Sequence, residues 1–398
     1  MPVEKFTVVG GGIAGLVVSR RLAMAGRSVL LIEASDHLGG TVRRHMVGGI
    51  DLDAGAESFA TRGGTVAALA TELGLGNDVV SPAAAGAWLQ PASGAAVPLP
   101  ATSLLGIPGV PLAADVIAAV GARAAMRAQL DSVIPHLMAP KSLTLGDLVR
   151  RRMGSGVLEK LVAPVVQGVH SRHPDELSID RAAPGLRAAL ALHGSLAAAV
   201  RSLREAAPAG SAVQGIRGGV NRLVIELVAD LATYGVTVEL GRRVSSGAQL
   251  DGTVVRATPF EKPAGRSTVL ATLVVDAPEL DAAPRGTGVL VAQGADGIRA
   301  RALTHATAKW VWLRERADGH HVLRLSYEVE PEDLDTVARA DAEALLGVRF
   351  DRIVDFARVE WLRPEAGSAA DVGETVAGSG LAGIVGQANA AADALLAL

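Results

Sequence analysis

Three glycines near the amino terminus are the residues whose spacing most clearly indicates chemistry. Gly10, Gly12 and Gly15 form the pattern GxGxxG within KFTVVGGGIAGLVVSRRL. The first glycine of this pattern permits a tight turn, the second lets the backbone approach a pyrophosphate, and the third lets a helix pack close to a strand. The N–H groups and the positive dipole end of the following helix would then face the phosphates. The pattern therefore predicts a dinucleotide-binding turn.

The elements on both sides of this turn support the prediction. Residues 5–9 alternate and are β-branched, residues 13–25 are apolar at helical spacing, Gly26 suits a helix end, and Ser28–Ile32 is a second short apolar run. Two parallel strands joined by a helix need a right-handed crossover. The opening segment is therefore predicted to be one βαβ unit.

An acidic residue stands at the far end of the second predicted strand. Glu33 can accept hydrogen bonds from ribose hydroxyls, and it would repel a phosphate on that ribose. Glycines alone cluster in many turns, but a strand, a helix, a second strand and a terminal acid together favour a nucleotide site. These residues leave NAD and FAD as open alternatives.

Composition limits the other kinds of chemistry. The chain has 398 residues, which exceeds the roughly 250–300 residues at which a single core stops growing, so two domains are expected. A net charge of -3 gives no excess that would favour nucleic acid. The chain contains no cysteine, so any redox chemistry must belong to a bound cofactor. The histidines show no carboxylate at ligand spacing, so no metal site is predicted.

Two further features concern the location of the protein. The N-terminus lacks the basic and apolar regions of a signal peptide. No segment reaches the roughly 18 apolar residues of a membrane span. We therefore expect a cytoplasmic protein without a transmembrane segment.

Segments with helix-and-strand patterns alternate along the chain with helical and strand-rich segments, and this order predicts an α/β fold. A discontinuous Rossmann-like domain is expected to carry an antiparallel-sheet substrate domain and a helical insertion. The predicted parts are a nucleotide-binding domain at 1–80, 210–250 and 370–398, a substrate-binding α+β domain at 81–111 and 251–369, and a helical subdomain at 112–209. Within the helical part, Thr144 stands three residues ahead of Asp147, which is a capping-box pattern.

Longer stretches of the sequence carry a family resemblance. After Glu33 the chain continues with the pair Gly39 and Gly40 and then with Arg43 and Arg44. A second glycine pair and an arginine at this place resemble the FAD proteins of the amine oxidase-like superfamily. The resemblance is most specific to bacterial FAD-dependent protoporphyrinogen and coproporphyrinogen III oxidases in DLDAGAESFATR (51–62), TLGDLVRRRMGSGVLEKLVAPVVQGVHSRHPDELSI (144–179) and VAGSGLAGIVGQANAAADALL (376–396).

The resemblance implies a set of site residues. Contacts to FAD are implied for Gly10, Gly12, Ile13, Ala14, Gly15, Glu33, Gly40 and either Arg43 or Arg44. Val244 matches a residue whose backbone meets adenine, and Gly380, Leu381 and Ala382 match the loop and helix start that face the isoalloxazine ring. Arg62 matches the family's candidate for gripping a substrate propionate, and a guanidinium binds a carboxylate well.

The implied activity is the oxidation of coproporphyrinogen III to coproporphyrin III in haem biosynthesis, with oxygen as acceptor. Protoporphyrinogen IX oxidation is the nearest alternative. A further alternative is an amine oxidase or carotenoid desaturase, which uses the same cofactor on a different class of substrate. A flavin-fold protein that binds porphyrin with reduced or no activity is the alternative outside enzymology. The implied partners are the porphyrinogen, oxygen and, transiently, other enzymes of the haem pathway.

Overall fold

The computed structural model describes residues 4–134, 142–170, 172–205, 213–261, 265–364, 370–378 and 380–397. The chain forms two units, and each consists of separated segments. The first unit contains Met1–Pro82, Ser211–Leu270 and Arg358–Leu398, and the second contains Ala83–Gly210 and Ala271–Ala357. The assignment of nucleotide-binding and substrate-binding roles to parts of the chain stays a prediction.

The helices and strands are numbered in chain order. Up to residue 205 they are β1 (Lys5–Val9), α1 (Ile13–Met24), β2 (Ser28–Ile32), β3 (Arg44–Val47), β4 (Ile50–Asp53), β5 (Phe59–Ala60), α2 (Thr65–Glu72), β6 (Val79–Val80), β7 (Trp88–Gln90), β8 (Val97–Pro98), β9 (Ser103–Leu104), β10 (Ile107–Pro108), α3 (Ala114–Val120), α4 (Ala122–Gln129), α5 (Leu145–Met153), α6 (Ser155–Val157), α7 (Ala163–His170), α8 (Ile179–Ala182), α9 (Leu186–His193) and α10 (Leu196–Glu205). The remainder are β11 (Val213–Ile216), α11 (Arg222–Thr233), β12 (Thr237–Glu239), β13 (Thr253–Arg256), β14 (Gly265–Asp276), β15 (Gly288–Val291), β16 (Ala302–His305), α12 (Ala306–Lys309), α13 (Val311–Arg316), β17 (His321–Tyr327), α14 (Leu334–Leu346), β18 (Arg352–Pro364), α15 (Glu374–Ala377) and α16 (Leu381–Leu396).

A parallel sheet in the first unit holds the predicted βαβ segment. Its described strands follow the order β12-β2-β1-β13, and every adjacent pair is parallel. Val8 in the central strand pairs with Leu31 on one side and Val255 on the other. Strands buried on both faces need continuous apolar residues, which explains the run FTVV in β1. The predicted strand, helix and strand are confirmed.

Helix α1 is the most buried helix of this unit and packs against α11 and α16. Its Arg20 is 4% exposed and makes ion pairs of 2.7 Å with Asp230 of α11 and with Glu72 of α2. A buried cation must be paired to offset its lost hydration. Arg20 therefore fixes α11 and α2 to α1.

The helices of the second unit surround their own core. Thr144 caps α5, because its hydroxyl accepts a hydrogen bond of 3.2 Å from the N–H of Asp147. Deeper in the core, Arg152 donates to Asp131 at 2.6 Å, and Asp131 also accepts from the N–H of Ala197 at the start of α10. The predicted helix cap is confirmed, and the buried Asp131 carboxylate connects α5 with the start of α10.

Most of a second sheet belongs to the second unit, with the order β18-β14-β17-β16-β15-β7-β8. The pairs β15–β16, β16–β17 and β7–β8 are antiparallel, whereas β15 and β7 are parallel. The predicted sheet of this region is therefore mainly antiparallel, as expected.

In the segments that the structure describes, no helix is long and apolar enough to cross a membrane.

Two histidines are buried in contact at this sheet. Nε2 of His305 lies 3.1 Å from Nδ1 of His321, and the two side chains are 1% and 4% exposed. Burial, and then the neighbouring imidazole, lower the pKa of His305 to about 3. Burial also lowers the pKa of His321, although Asp281 acts in the opposite direction. Both imidazoles are therefore neutral near pH 7.

This pair predicts a pH dependence of stability. The unfolded histidines bind protons near their ordinary pKa of 6.5, so the stabilisation is complete above that pH and is lost as the pH falls below it. Between pH 6.5 and pH 5 protonation of unfolded His305 should remove about 1–2 kcal/mol from the free energy of unfolding, and His321 should act in the same direction. Urea unfolding at several pH values measures this slope. His305→Gln should flatten it, and an equal slope in both proteins would contradict the assignment.

Candidate functional site

The glycine-rich turn joins the end of β1 to the start of α1. Gly10 adopts φ 108, which favours glycine, and its N–H donates to the carbonyl of Ile32 at 2.8 Å. A Cβ on Gly15 would lie 1.9 Å from the Gly10 carbonyl oxygen. Gly15 is therefore required by the packing of α1 against its own turn, and Gly10 by its backbone conformation.

Gly12 differs from Gly10 and Gly15 because neither its backbone conformation nor a contact within the described chain requires a glycine there. It has an ordinary φ of -72, and a Cβ there would meet no atom of the described chain within 4 Å. Gly12 is the residue that precedes α1, and no described side chain caps that helix end. Open space beside uncapped N–H groups suits a bound phosphate. The residues at this turn therefore fit the pyrophosphate of a dinucleotide.

Glu33 lies beside this turn at the end of β2. Its Oε2 accepts a hydrogen bond of 2.6 Å from the N–H of Gly11, and its Oε1 accepts from the N–H and Oγ of Ser35 at 2.8 and 2.9 Å. A carboxylate has about four acceptor positions, so Oε2 can still accept from a hydroxyl. The carboxylate is therefore oriented before any ligand is bound.

Val244 lies at the same edge of the parallel sheet. It is buried against Val9 at the end of β1 and Ile32 at the end of β2. Ligands of open parallel sheets bind outside the carboxyl ends of the strands. The position of Val244 is therefore compatible with the adenine contact that the sequence predicts.

The second glycine pair lies directly against the first. The N–H of Gly39 donates to the Gly11 carbonyl at 2.8 Å, and a Cβ on Gly40 would lie 3.4 Å from the Cα of Gly12. Two turns that are separated in sequence thus lie side by side at Gly12. Gly40 adopts φ 58, so a side chain there would be strained as well as close.

The two predicted arginines occupy different environments. The guanidinium of Arg43 lies 4.9 Å from the ring centre of Trp361 and 3.0 Å from Nε2 of His37. The indole N–H of Trp361 donates to the carbonyl of Ala54 at 3.2 Å, so the ring is fixed in place. Arg44 instead lies 3.8 Å from Asp51 and is mostly exposed. The FAD contact of Arg43 or Arg44 stays a prediction.

The start of α16 forms another part of the first unit. Gly380 precedes this helix at φ 116 with open space at its Cβ position, whereas Leu381 and Ala382 are buried. The hydroxyl of Thr65 at the start of α2 donates to the Ala382 carbonyl at 2.8 Å. Helix α2 and the start of α16 are therefore held together.

Arg62 lies in the loop that precedes α2, three residues ahead of Thr65. Its side chain is exposed and, within the part of the chain that the structure describes, has no carboxylate partner.

The start of α1 is adjacent to the segment before α16, since a Cβ on Gly373 would lie 3.6 Å from the Cβ of Ala14. By the bounds of the two units, all predicted site residues lie in the first unit. Their roles stay predictions.

Sequence reasoning missed the residues that hold these turns. Trp361 has no motif around it, and only the fold brings it to Arg43. The glycine pattern does not include Gly11, yet a Cβ there would lie 2.4 Å from Cδ2 of Leu38. Asp53 stands within the stretch DLDAGAESFATR without a predicted role, and its buried carboxylate accepts three hydrogen bonds from Val220 and Asn221.

The second unit contains a cavity of about 420 Å³. Its apolar surface comes from residues such as Pro164, Val291 and Ile298, and its charged residues are Arg299, Arg301, Glu328 and Glu330. Arg301 is paired with Glu328. Two cations and two anions balance, so the net charge of this cavity does not select for anions.

Comparison with known proteins identifies the family. Residues 13–283 match the sequence profile of the flavin containing amine oxidoreductases, which is more than half of the chain. The chain belongs to this family and is an FAD-dependent oxidoreductase. The family and cofactor expected from the sequence are confirmed.

Individual relatives are more specific. The coproporphyrinogen III oxidase of Mycobacterium leprae (strain TN) is 30% identical over 351 residues, which cover 78% of this chain and 75% of the relative. The coproporphyrinogen III oxidase of Staphylococcus aureus (strain NCTC 8325 / PS 47) is 25% identical over 393 residues, covering 87% and 83%. A crystal structure from Exiguobacterium sp. 255-15, provisionally named protoporphyrinogen oxidase, has a TM-score of 0.84, 21% identity and 99% coverage of both chains. The structural similarity confirms the predicted fold class.

The contrast between Gly12 and Gly15 gives a test of the cofactor position. Gly12→Ala should leave the melting temperature of the apoprotein nearly unchanged, because its Cβ enters open space, but should weaken FAD binding at least about tenfold. Gly15→Ala should lower both stability and FAD affinity, because its Cβ meets the Gly10 carbonyl. Thermal melts and FAD fluorescence titration measure the two effects. Unchanged FAD affinity in Gly12→Ala would remove the pyrophosphate from this turn.

Proposed function

We propose that this FAD-dependent oxidoreductase converts coproporphyrinogen III to coproporphyrin III, with oxygen as the final electron acceptor. The observation that carries the proposal is the similarity to coproporphyrinogen III oxidases over about three quarters or more of both chains. The geometry of the first unit supports it, because Glu33 and the second glycine pair contact the first glycine turn, and α16 packs against the helix that follows this turn.

The chain's own residues have binding and orienting roles in this reaction. We assign the pyrophosphate to Gly10, Gly12, Ile13, Ala14, Gly15 and Gly40, the ribose to Glu33, and the adenine side to Val244. Arg43 flanks this region, and Gly380, Leu381 and Ala382 provide the positive helix end for the flavin ring. When bound, FAD supplies the acceptor for hydride from a meso carbon of the porphyrinogen. Because the product is aromatic, the protein needs no strong base and acts mainly by orientation.

Arg62 is the proposed anchor of the substrate. It is an exposed cation on a loop that leads into α2, and α2 is tied to the start of α16 through Thr65. A propionate could receive two parallel hydrogen bonds from its guanidinium. This places the recognition of a substrate carboxylate on the same part of the fold as the flavin-facing helix end.

Protoporphyrinogen IX oxidation is the second candidate, because the Exiguobacterium structure with a similar fold carries that name. The two substrates differ at two peripheral groups, which are propionates in coproporphyrinogen and vinyls in protoporphyrinogen. A carrier that binds porphyrin without oxidising it is the third candidate. An oxidase consumes oxygen and produces porphyrin fluorescence from reduced tetrapyrrole, whereas a carrier only alters the fluorescence of added porphyrin.

The substrate preference can be measured directly with the FAD-loaded protein. We expect oxygen-dependent formation of fluorescent porphyrin with a kcat/KM for coproporphyrinogen III at least about tenfold above that for protoporphyrinogen IX. The reversed ratio would assign the enzyme to protoporphyrinogen. A flavin-loaded protein with no turnover of either substrate would contradict porphyrinogen oxidation.

Arg62→Ala tests the proposed propionate anchor. Loss of a charge-assisted contact should raise the KM for coproporphyrinogen roughly tenfold with a smaller effect on kcat and no effect on FAD affinity. Arg123→Ala is the matched control, since Arg123 is also exposed and has no described ion-pair partner. Equal kinetics in both variants would show that Arg62 is an ordinary surface residue.

A further inference from the structure

Asp53 is the last residue of β4 and is 7% exposed, yet it lies in neither glycine turn. Its Oδ2 accepts a hydrogen bond of 2.9 Å from the N–H of Val220. Its Oδ1 accepts from the N–H of Asn221 at 2.8 Å and from Nδ2 of Asn221 at 2.7 Å. One carboxylate thus binds three donors from a segment that is distant in sequence.

This segment is the turn that leads into α11. Asn221 precedes the helix, but its side chain makes no cap within its own helix and donates to Asp53 instead. Gly219 adopts φ 108, and a Cβ there would lie 2.3 Å from Nδ2 of Asn221 and 3.1 Å from Oδ1 of Asp53. The backbone therefore approaches Asp53 closely, and the carboxylate fixes the turn whose carbonyl groups accept from the first N–H groups of α11.

The first turn of α11 in turn contacts the second glycine pair. A Cβ on Gly39 would lie 3.0 and 3.2 Å from the two methyl carbons of Val224. Gly39 itself donates its N–H to the carbonyl of Gly11. Val224 of α11 therefore lies directly against Gly39, the residue that is bonded to the first glycine turn.

The two residues that follow Asp53 also contact this loop. The residue after it, Ala54, donates its N–H to the Arg43 carbonyl at 2.8 Å, and a Cβ on Gly55 would lie 2.2 Å from the Thr41 carbonyl oxygen. The segment from Gly39 to Arg43 is thus enclosed by Val224 on one side and by the residues after Asp53 on the other. Asp53 is the group that joins these two supports.

We propose that Asp53 is a positioning residue for FAD: through Val220 and Asn221 it holds Val224 against Gly39, and so sets the width of the pyrophosphate cradle at Gly12. The inference rests on the proposed position of FAD, but not on the identity of the substrate. It predicts that Asp53 controls the affinity for the ADP part of the cofactor and leaves the flavin ring environment unchanged.

Asp53→Asn is the first test. Whichever way the amide is turned, its NH₂ group faces at least one N–H donor of Val220 or Asn221, so the Kd for FAD and the Kd for ADP should both rise about tenfold or more. The visible absorption spectrum of the bound flavin should stay the same. Fluorescence titration with FAD, and competition by ADP, give the two constants.

Asp131→Asn is the matched control. Asp131 is also a buried carboxylate that accepts a backbone N–H near a helix start, but it lies in the second unit and is paired with Arg152. This variant should lower the melting temperature and leave the Kd for FAD within about twofold of the unaltered protein. Equal Kd values in Asp53→Asn and the unaltered protein, or an equal rise in both variants, would overturn the proposal.

Val224→Ala tests the route and remains decisive if Asp53→Asn does not fold. It should raise the Kd for FAD roughly threefold, and the double variant should show less than the product of the two single effects, because both act through the contact with Gly39. An unchanged Kd in Val224→Ala, or fully multiplicative effects, would overturn the proposal. Gly12→Ala in the same titration tests the FAD position itself, so that a failure there is separated from a failure at Asp53.

Discussion

The first unit depends on the close approach of α1 to the turn before it. That approach is allowed because Gly15 has no side chain to meet the Gly10 carbonyl. It brings the helix start to the carboxyl edge of the parallel sheet, where the N–H groups remain uncapped by any described side chain. The site's electrostatics follow from this packing, since the helix end is the source of positive potential for a phosphate.

Segments from all over the first unit use α1 as their common support. Helix α11 is attached through Arg20 and Asp230, and α16 packs along another face of α1. The two glycine turns meet at a β-bridge between Gly12 and Gly39, where the N–H of Gly39 donates to the Gly11 carbonyl. A cofactor site of this kind is assembled from residues that are far apart in sequence. The relative positions of these residues depend on buried polar groups whose hydrogen bonds are all formed.

The sequence was sufficient to predict the parts of the fold that local rules determine. The strand and helix around Gly10, the second strand at Ser28–Ile32 and the cap at Thr144 follow from periodicity, turn chemistry and capping. The family resemblance correctly added FAD and the oxidoreductase class. The contacts of Asp53 with Asn221, of Arg152 with Asp131, and of His305 with His321 could not be predicted. Each joins residues that share no local pattern, and a buried polar residue looks like a surface residue until its partner is known.

The packing of α16 on α1 also determines when the first unit can be completed during synthesis. The apolar face of α1 is covered by a helix that begins only at Leu381. At about 5–20 residues per second, a ribosome needs roughly twenty to seventy seconds to pass from one helix to the other. During that interval the nascent βαβ segment lacks its covering helix, so its apolar surface stays exposed and the first unit is completed only after α16 has been synthesised.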